Sequence, residues 1–357
     1  MQGILDPRDA DAALDDWLSF QEAYCLRPRE GLEALRRFGS PAAALFGLGL
    51  VREGGGKRSG ARLVLARAGI RSIAVGSPAY PAALALLEDG PSLLHVKGEV
   101  EALHAPAVAI VGARAASAYG LGLARALAIS FARAGLVVVS GLARGIDAAA
   151  HAGALEAGGK TVAVQGCGPD RVYPAAHRSL ADRIAANGAV VSEFPPGAPP
   201  RGAHFPLRNR VVSGLARATV VVEARARSGS LSTALHAIGQ QREVFAVPGP
   251  LGVATSTGTN RLIRDGAQVL LDADDVLARI GFRPGSGRVR RATSEAACGR
   301  VARELARAPA SRDELSRRLG EPPEALALEI LELEMSGSLI EDRDGRLHLV
   351  ADPASLC

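Results

Sequence analysis

The chain has 357 residues, 48% hydrophobic and only 4% aromatic, with 42 basic against 37 acidic side chains for a formal net charge of +5. That length implies two or three domains, with ample apolar content for a core packed from Ala, Leu and Val, and a positive excess compatible with nucleic acid but too mild to point to it. The four cysteines (Cys25, Cys167, Cys298, Cys357) lie far apart, which excludes a disulfide framework and a zinc-type pair. The opening MQGILDPRDADAALDD carries acid and no apolar core, so it does not read as a signal peptide. No apolar run nears the roughly 18 residues of a membrane span, and a cytoplasmic protein without membrane contact is expected.

Residues 10–68 read as short helices. Leu14, Trp17, Leu18 and Phe20 share one apolar face; Leu32, Leu35, Phe38, Leu45 and Phe46 continue it past a Gly39-Ser40-Pro41 break. A packing module is the plainer reading, although small helical pairs with glycine turns can also hold a nucleic-acid backbone. Gly54-Gly55-Gly56-Lys57 reads as a flexible loop, and Lys57 lacks the spacing of a phosphate loop.

From about Ile70 strands alternate with helices. Strands are expected at Val108–Val111, Leu136–Val139, Thr161–Val164, Ala189–Ser192, Thr219–Val222, Val244–Val247 and Gln268–Leu271. Helices are expected at Leu121–Arg133, Asp147–Glu156, His177–Ala186, Leu231–Gln240 and Asp274–Ile280. Apolar runs without polar alternation suit strands covered on both faces, so this is a doubly wound, mainly parallel α/β domain ending near Phe282. RPGSGRVRR at 283–291 has linker composition. Beyond it, Cys298–Ala306, a helix opened by a Ser311/Glu314 capping box, a third helix over Ala325–Met335 and a hairpin around Asp344-Gly345 make a winged-helix-like module. Its third helix, with the turn that leads into it, carries Glu321, Glu324, Glu329, Glu332 and Glu334 and no Lys or Arg, so the module is expected to contact protein rather than a DNA groove.

The chemistry concentrates at turns after strands. Gly112 and Gly166-Cys167-Gly168 leave amide groups outward, and a helix start just beyond favours phosphate; neither completes a dinucleotide fingerprint. Gly159-Lys160-Thr161 has Ala154 where a phosphate loop needs glycine, and the helix precedes the strand, which argues against an ATPase. Asp147 and His151 share a helix face and read as a helix-capping Asp and a polar residue that orient the Gly141–Gly145 turn, rather than as an acid–base pair. Phe205-Pro206-Leu207-Arg208-Asn209-Arg210 opens a helix with two arginines suited to phosphate beside a ring. Arg225, Arg227 and Ser228-Gly229-Ser230 open the next strand–helix turn. Cations and aromatics at strand ends make an electrostatic groove with stacking platforms, as single-stranded nucleic acid requires.

These stretches resemble the bacterial DNA-processing protein A family, DprA or Smf. VAIVGARAASAYG (108–120), VSGLARGIDAAAHAGAL (139–155), GGKTVAVQGCGPDRVYP (158–174), VVSEFPPG (190–197), FPLRNRVVSGLA (205–216), VVVEARARSGSLSTA (220–234), VFAVPG (244–249) and GTNRLIRDGA (258–267) carry the likeness in order. The resemblance implies an extended Rossmann-like domain over 70–283, a helical front (1–69, SAM or helix-hairpin-helix-like), a linker (284–293) and a winged-helix-like tail (294–357). It implies a homodimer that binds and protects single-stranded DNA and loads the recombinase RecA onto it during transformation, with no catalytic residue, metal or cofactor. The family's Gly-Ser/Thr-Arg segment maps onto Gly112-Ala113-Arg114, with Ala113 in place of the hydroxyl; its Tyr-Pro-x-x-Asn segment maps onto Tyr173–His177, with His177 in place of Asn. The expected DNA-binding set is Gly112, Arg114, Tyr119, Gly141, Arg144, Gly145, Gly168, Phe205, Arg208, Asn209, Arg210, Ser228, Gly229 and Ser230. The competing expectation is a nucleotide-binding or nucleoside-phosphate-hydrolysing enzyme in the same pocket, with Asp147, Glu193 or Glu223 as acid–base groups. The Pro-Gly-Gly-x-Gly-Thr loop of such hydrolases is absent from the sequence.

Overall fold

The computed structural model describes residues 7–50, 56–282, 300–305, 308–323, 325–327, 330, 333, 339–342 and 345–349. The 284–293 linker, Gly54-Gly55 and most of the acidic helix expected over 325–335 lie outside the described residues. The chain divides into two compact units, residues 1–285 and 286–357.

The first unit opens with four helices, α1 (Pro7–Tyr24), α2 (Pro28–Phe38), α3 (Pro41–Gly47) and α4 (Gly56–Arg67). The Gly39-Ser40-Pro41 break is the α2–α3 corner. Ser40 caps α3 by accepting from the Ala43 amide at 3.2 Å, and Pro41 takes the first helical position, where no N–H is needed. Gly56 and Lys57 are not loop, as expected from glycine content, but the start of α4.

Nine strands then form one sheet: β1 (Ile70–Ala74), β2 (Leu93–Gly98), β3 (Ala107–Val111), β4 (Val137–Ser140), β5 (Thr161–Gln165), β6 (Gly188–Ser192), β7 (Ala218–Val221), β8 (Glu243–Ala246) and β9 (Gln268–Val269). Their order is β1-β2-β6-β5-β4-β3-β7-β8-β9. From β6 to β9 every pairing is parallel; β1 and β2 add an antiparallel edge that the sequence reading did not separate from the alternation. The intervening helices are α5 (Ala82–Ala85), α6 (Ala118–Ala134), α7 (Ile146–Glu156), α8 (Arg178–Ala186), α9 (His204–Gly214), α10 (Gly229–Gly239), α11 (Thr257–Arg264) and α12 (Ala273–Arg279).

Strand pleat sorts the core into two layers. On β3, Val108 and Ile110 join a layer with Phe131 of α6, Ala150 of α7 and Val276 of α12. Ala107, Ala109 and Val111 face the other layer with Val211 and Val212 of α9 and Ala234 of α10. Both faces of the central strands are covered, which is why those strands are almost wholly apolar. Strand order reverses beside β3: β4 lies on one side and β7 on the other, so the loops after β3 and β7 diverge and leave a crevice at the carboxyl edge.

The helical front is tied to the antiparallel edge by buried polar contacts. Gln21 of α1 donates to the Glu193 carbonyl at 2.9 Å, and its Oε1 stands 3.0 Å from His95 Nε2. His95 Nδ1 lies 2.8 Å from Ser72 Oγ. Since Gln21 Oε1 can only accept, His95 carries its proton on Nε2 and accepts from Ser72. The helices and the sheet thus pack as one unit across residue 69.

The described part of the second unit holds α13 (Arg300–Leu305), α14 (Arg312–Leu319) and a three-stranded sheet in which β12 (Arg346–Leu349) lies between β10 (Ala310–Ser311) and β11 (Leu339–Glu341). The Ser311/Glu314 capping box is present, and Val301, Leu315, Leu326 and Leu347 close a small core.

Two buried histidines give the first unit a pH dependence. Burial lowers His95 from its ordinary 6.5 to about 3. It does the same to His151, assisted by the charges of His177 and Arg208. The unfolded chain therefore binds more protons than the folded one between pH 6.5 and 3, and stability is lost as pH falls through that window, by up to about 1.4 kcal/mol per pH unit for each histidine. The thermal midpoint should fall steadily below pH 6.5, and a His95→Gln variant should show a shallower fall in the same pH series.

Candidate nucleic-acid interface

A cleft of about 710 Å³ opens at the carboxyl edge of the sheet, where the loops after β3, β4 and β7 meet the first turns of α9 and α10. Four elements supply its chemistry. The loop after β3 brings Gly112 and Arg114, and the turn after β4 brings Gly141. The first two turns of α9 bring Phe205, Arg208 and Asn209, and the β7–α10 loop brings Arg225, Arg227, Ser228, Gly229 and Ser230. Nine of the expected positions are thereby gathered in one place, with Arg225 and Arg227 beside them.

The rim is cationic. Arg114, Arg225 and Arg227 are exposed, and the Arg114 guanidinium stands 5.2 Å from the centroid of the Phe205 ring, within cation–π range. Ser228 caps α10 through its Oγ, which accepts from the Ser230 amide at 3.4 Å and lies 2.7 Å from Ser230 Oγ. The positive end of that helix dipole therefore faces the cleft.

The floor is built differently. Arg208 is 4% exposed. Its Nη1 donates to the Gly141 carbonyl at 2.7 Å and to the Val164 carbonyl, and its Nε donates to Asn209 Oδ1 at 3.3 Å. It fastens the ends of β4 and β5 together, and Gly141 is needed because a Cβ there would stand 2.5 Å from Nη2. Asn209 in turn donates to the Gly229 carbonyl at 3.1 Å and to Ser232 Oγ at 3.2 Å, holding α10 against α9. Asp147 Oδ2 accepts from the Gly141 and Ala143 amides at 3.1 and 3.3 Å. Burial pushes its carboxyl up, against the pull of Arg208 and the two amides. His151 Nδ1 meets Thr161 Oγ1 at 2.7 Å. Thr161 gives its own proton to the Val138 carbonyl, so Nδ1 is the donor, and Nε2 is buried without a partner among the described residues. Asp147 thus holds the Gly141–Gly145 turn as read from the sequence, while His151 belongs to the β4–β5 packing beneath it.

Five expected positions lie outside the cleft lining. Arg210 has no solvent exposure and Glu193 4%. The two form a two-pronged pair at 2.7 and 2.6 Å, with further bonds from Arg210 to the carbonyls of Asp89 and Leu207, both at 2.7 Å. The reason is helical phase: Arg210 lies two positions, some 200°, around α9 from Arg208. Phe205, Arg208, Asn209 and Val212 share the cleft face at the i, i+3, i+4, i+7 spacing, and that spacing was the available signal for separating the two arginines and for finding Val212. Gly145 does not line the cleft. It sits at φ 79°, and a Cβ there would come within 2.3 Å of the Ala113 carbonyl, so it serves the close approach of two turns. Gly168 is buried under the Pro195–Ala198 segment, with its amide bonded to the Ala198 carbonyl at 2.9 Å. Tyr119 (65% exposed) and Arg144 (exposed) reach solvent outside the cleft lining.

Glu223, a candidate acid–base group, occupies the start of α6. Its carboxylate accepts from the Ser117 amide at 2.9 Å and the Ser117 hydroxyl at 2.5 Å. A side-chain anion thus fills the first strand–helix turn, where Rossmann folds place a phosphate. Among the described residues, no group of three or more His, Cys, Asp and Glu side chains is placed to hold a metal ion. No described helix is long and apolar enough to cross a membrane.

An open, mostly parallel sheet with a cationic crevice at its reversal point defines a Rossmann-like protein. The chain belongs to the DNA recombination-mediator protein A family, whose model matches residues 71–281; a DprA winged helix domain model matches residues 289–345. It is 44% identical over 211 residues to DNA processing protein DprA of Streptococcus pneumoniae, covering 59% of this chain and 74% of that protein. It is also 44% identical over 211 residues to Protein Smf of Escherichia coli, covering 59% of this chain and 56% of that protein. The X-ray structure of the pneumococcal protein superposes with a TM-score of 0.58 at 39% identity, over 67% of this chain and 82% of that one. DNA processing protein A from Helicobacter pylori, a structure described for its single-stranded DNA binding mode, superposes at 0.54 and 31% identity, over 59% of this chain and 95% of that one.

The two arginines of α9 differ from the rim in what their loss does. Arg210→Ala strands the Glu193 carboxylate in the core and should lower unfolding free energy by about 3–5 kcal/mol; replacing the pair together by Met and Leu should recover most of it. Arg114→Ala at the exposed rim should change stability by less than about 0.5 kcal/mol. Urea unfolding of the three variants checks both statements.

Proposed function

We propose that the cleft binds single-stranded DNA without sequence preference, and that the protein is a non-catalytic mediator that protects such DNA and passes it to the recombinase RecA. The observation that carries the reading is the pairing of the exposed Arg114 guanidinium with the Phe205 ring, 5.2 Å away, at the mouth of an arginine-rimmed cleft. Phosphates pair with Arg114, Arg225 and Arg227 and with the α10 N-terminus, while a base stacks at Phe205. Phosphate contacts and stacking carry little sequence information. Similarity to the Helicobacter pylori single-strand binder supports the same ligand.

The non-catalytic reading is supported by the work already done by the carboxylates. Asp147 holds a turn, Glu193 pairs with Arg210, and Glu223 caps α6. In this reading the protein acts in the cytoplasm as a homodimer during natural transformation and recombination. Residues 70–283 form the DNA-binding domain, residues 1–69 a helical front, and residues 294–357, beyond a 284–293 linker, a winged-helix-like tail that meets protein rather than DNA.

The test is fluorescence anisotropy with labelled oligo-dT and a duplex of equal length across a salt series. Tight single-strand binding, weaker duplex binding and a linear fall of log K with log salt are expected, the slope giving the phosphates neutralised. Arg114→Ala, Arg225→Ala and Arg227→Ala should each weaken binding by about 1–3 kcal/mol and reduce the slope. No binding at low salt would overturn the ligand, and release of free base from nucleoside monophosphates would overturn the non-catalytic reading.

A further inference from the structure

Tyr173 is not part of the cleft lining, yet it is joined to it through rings. It lies in the segment between β5 and α8, and its ring centroid is 5.5 Å from that of Phe205 at an interplanar angle of 39°. Phe205 is itself held from other sides. It presses on the backbone of Gly166, where a Cβ would stand 2.9 Å from its Cδ1, and the Arg114 guanidinium lies near its ring. Arg114 and Tyr173 each meet Phe205, so the three form a connected row from the cleft lining to a residue outside it.

The row is anchored at its outer end. The Arg171 amide donates to the Gly168 carbonyl at 3.0 Å, the His177 amide to the Pro174 carbonyl at 2.9 Å, and His177 Nδ1 to the Leu142 carbonyl at 2.9 Å. The segment that carries Tyr173 is thus fixed to the turns after β4 and β5, the same turns that floor the cleft.

Two of the other tyrosines, Tyr80 and Tyr24, show what a structural role looks like in this chain; Tyr119, like Tyr173, is exposed, but no ring contact joins it to the cleft among the described residues. Tyr80 is 5% exposed and its hydroxyl donates to the Pro91 carbonyl at 2.6 Å; Tyr24 is 7% exposed and stacks in the helical front. Tyr173 is 43% exposed, and among the described residues its hydroxyl has no hydrogen-bond partner. Its sequence neighbours Arg171 and Arg178 are both exposed. A partly exposed ring on a fixed backbone, with guanidinium groups close along the chain, has the form of a stacking platform beside a phosphate track.

We propose that Tyr173 is a base-stacking residue that carries the interface one nucleotide beyond Phe205, so that a single strand leaves the cleft along the Arg114–Phe205–Tyr173 row. The proposal rests on the single-strand reading of the cleft and adds the direction in which the strand runs. Because every base has a π face, the contact adds affinity without choosing sequence.

The experiment compares wild type, Tyr173→Ala, Tyr173→Phe and Tyr173→Trp, binding oligo-dT across a salt series, with thermal midpoints measured alongside. Loss of a stacked base should cost Tyr173→Ala roughly fivefold or more in affinity at every salt concentration. The slope of log K against log salt should stay at its wild-type value, because no phosphate contact is lost. Tyr173→Phe should bind like wild type. Tyr173→Trp should gain an emission quenched on oligo-dT binding, beyond any change from Trp17, the one native tryptophan. If wild type binds and Tyr173→Ala binds equally well, or the Tyr173→Trp emission is not quenched, the stacking role is overturned while the cleft reading stands. If wild type itself does not bind, it is the cleft reading that fails.

Discussion

Helix α9 is held at one rotation by a charge pair that is almost wholly buried. Arg210 and Glu193 close a two-pronged bond at 2.6–2.7 Å between α9 and the segment just after β6. Taking both charges out of water is costly, and the arrangement persists because the remaining guanidinium protons reach the carbonyls of Asp89 and Leu207. With Arg210 turned inward, helical geometry decides where the opposite face points. Phe205, Arg208 and Asn209 are carried to the cleft together, and neither Arg208 nor Phe205 could swing away without breaking the pair.

The same economy governs the sheet edge. Arg208 and Asp147 look like ligand-binding groups by type, but both are committed to the turns: Arg208 binds the carbonyl ends of β4 and β5, and Asp147 binds the amides of the β4 turn. They stiffen the floor on which exposed groups stand. The side chains open to an incoming anion are those at the rim, Arg114, Arg225 and Arg227, which are exposed and attached to loops that the floor holds in place.

Glu223 explains why a Rossmann-like sheet need not hold a nucleotide at its first turn. The α6 N-terminus already has its anion, supplied by the carboxylate from the end of β7. Among the described residues, the unpaired positive groups of the cleft lie instead at the α10 start and on the exposed arginines around it, where the crevice is open.

Much of this was legible in the amino-acid order. Uniform apolar runs gave the parallel strands within about two residues, since a strand covered on both faces admits no polar alternation. Gly39-Ser40-Pro41 gave a helix corner, and Ser311 with Glu314 gave a capping box, because these depend on neighbours along the chain. The glycine turns and the order of the motifs carried the family. Tertiary structure alone decided which charges are available. Arg208 and Arg210 are the same residue type two positions apart, and only the packing of α9 against Glu193 and the β4–β5 ends buries one as a structural pair and makes the other a brace. Gly145 and Gly168 are required by close approaches of distant backbone, and the Arg114–Phe205–Tyr173 row joins two loops and a helix start remote in sequence. Local propensity reads neighbours along the chain, whereas burial and the pairing of charge depend on what the fold brings alongside.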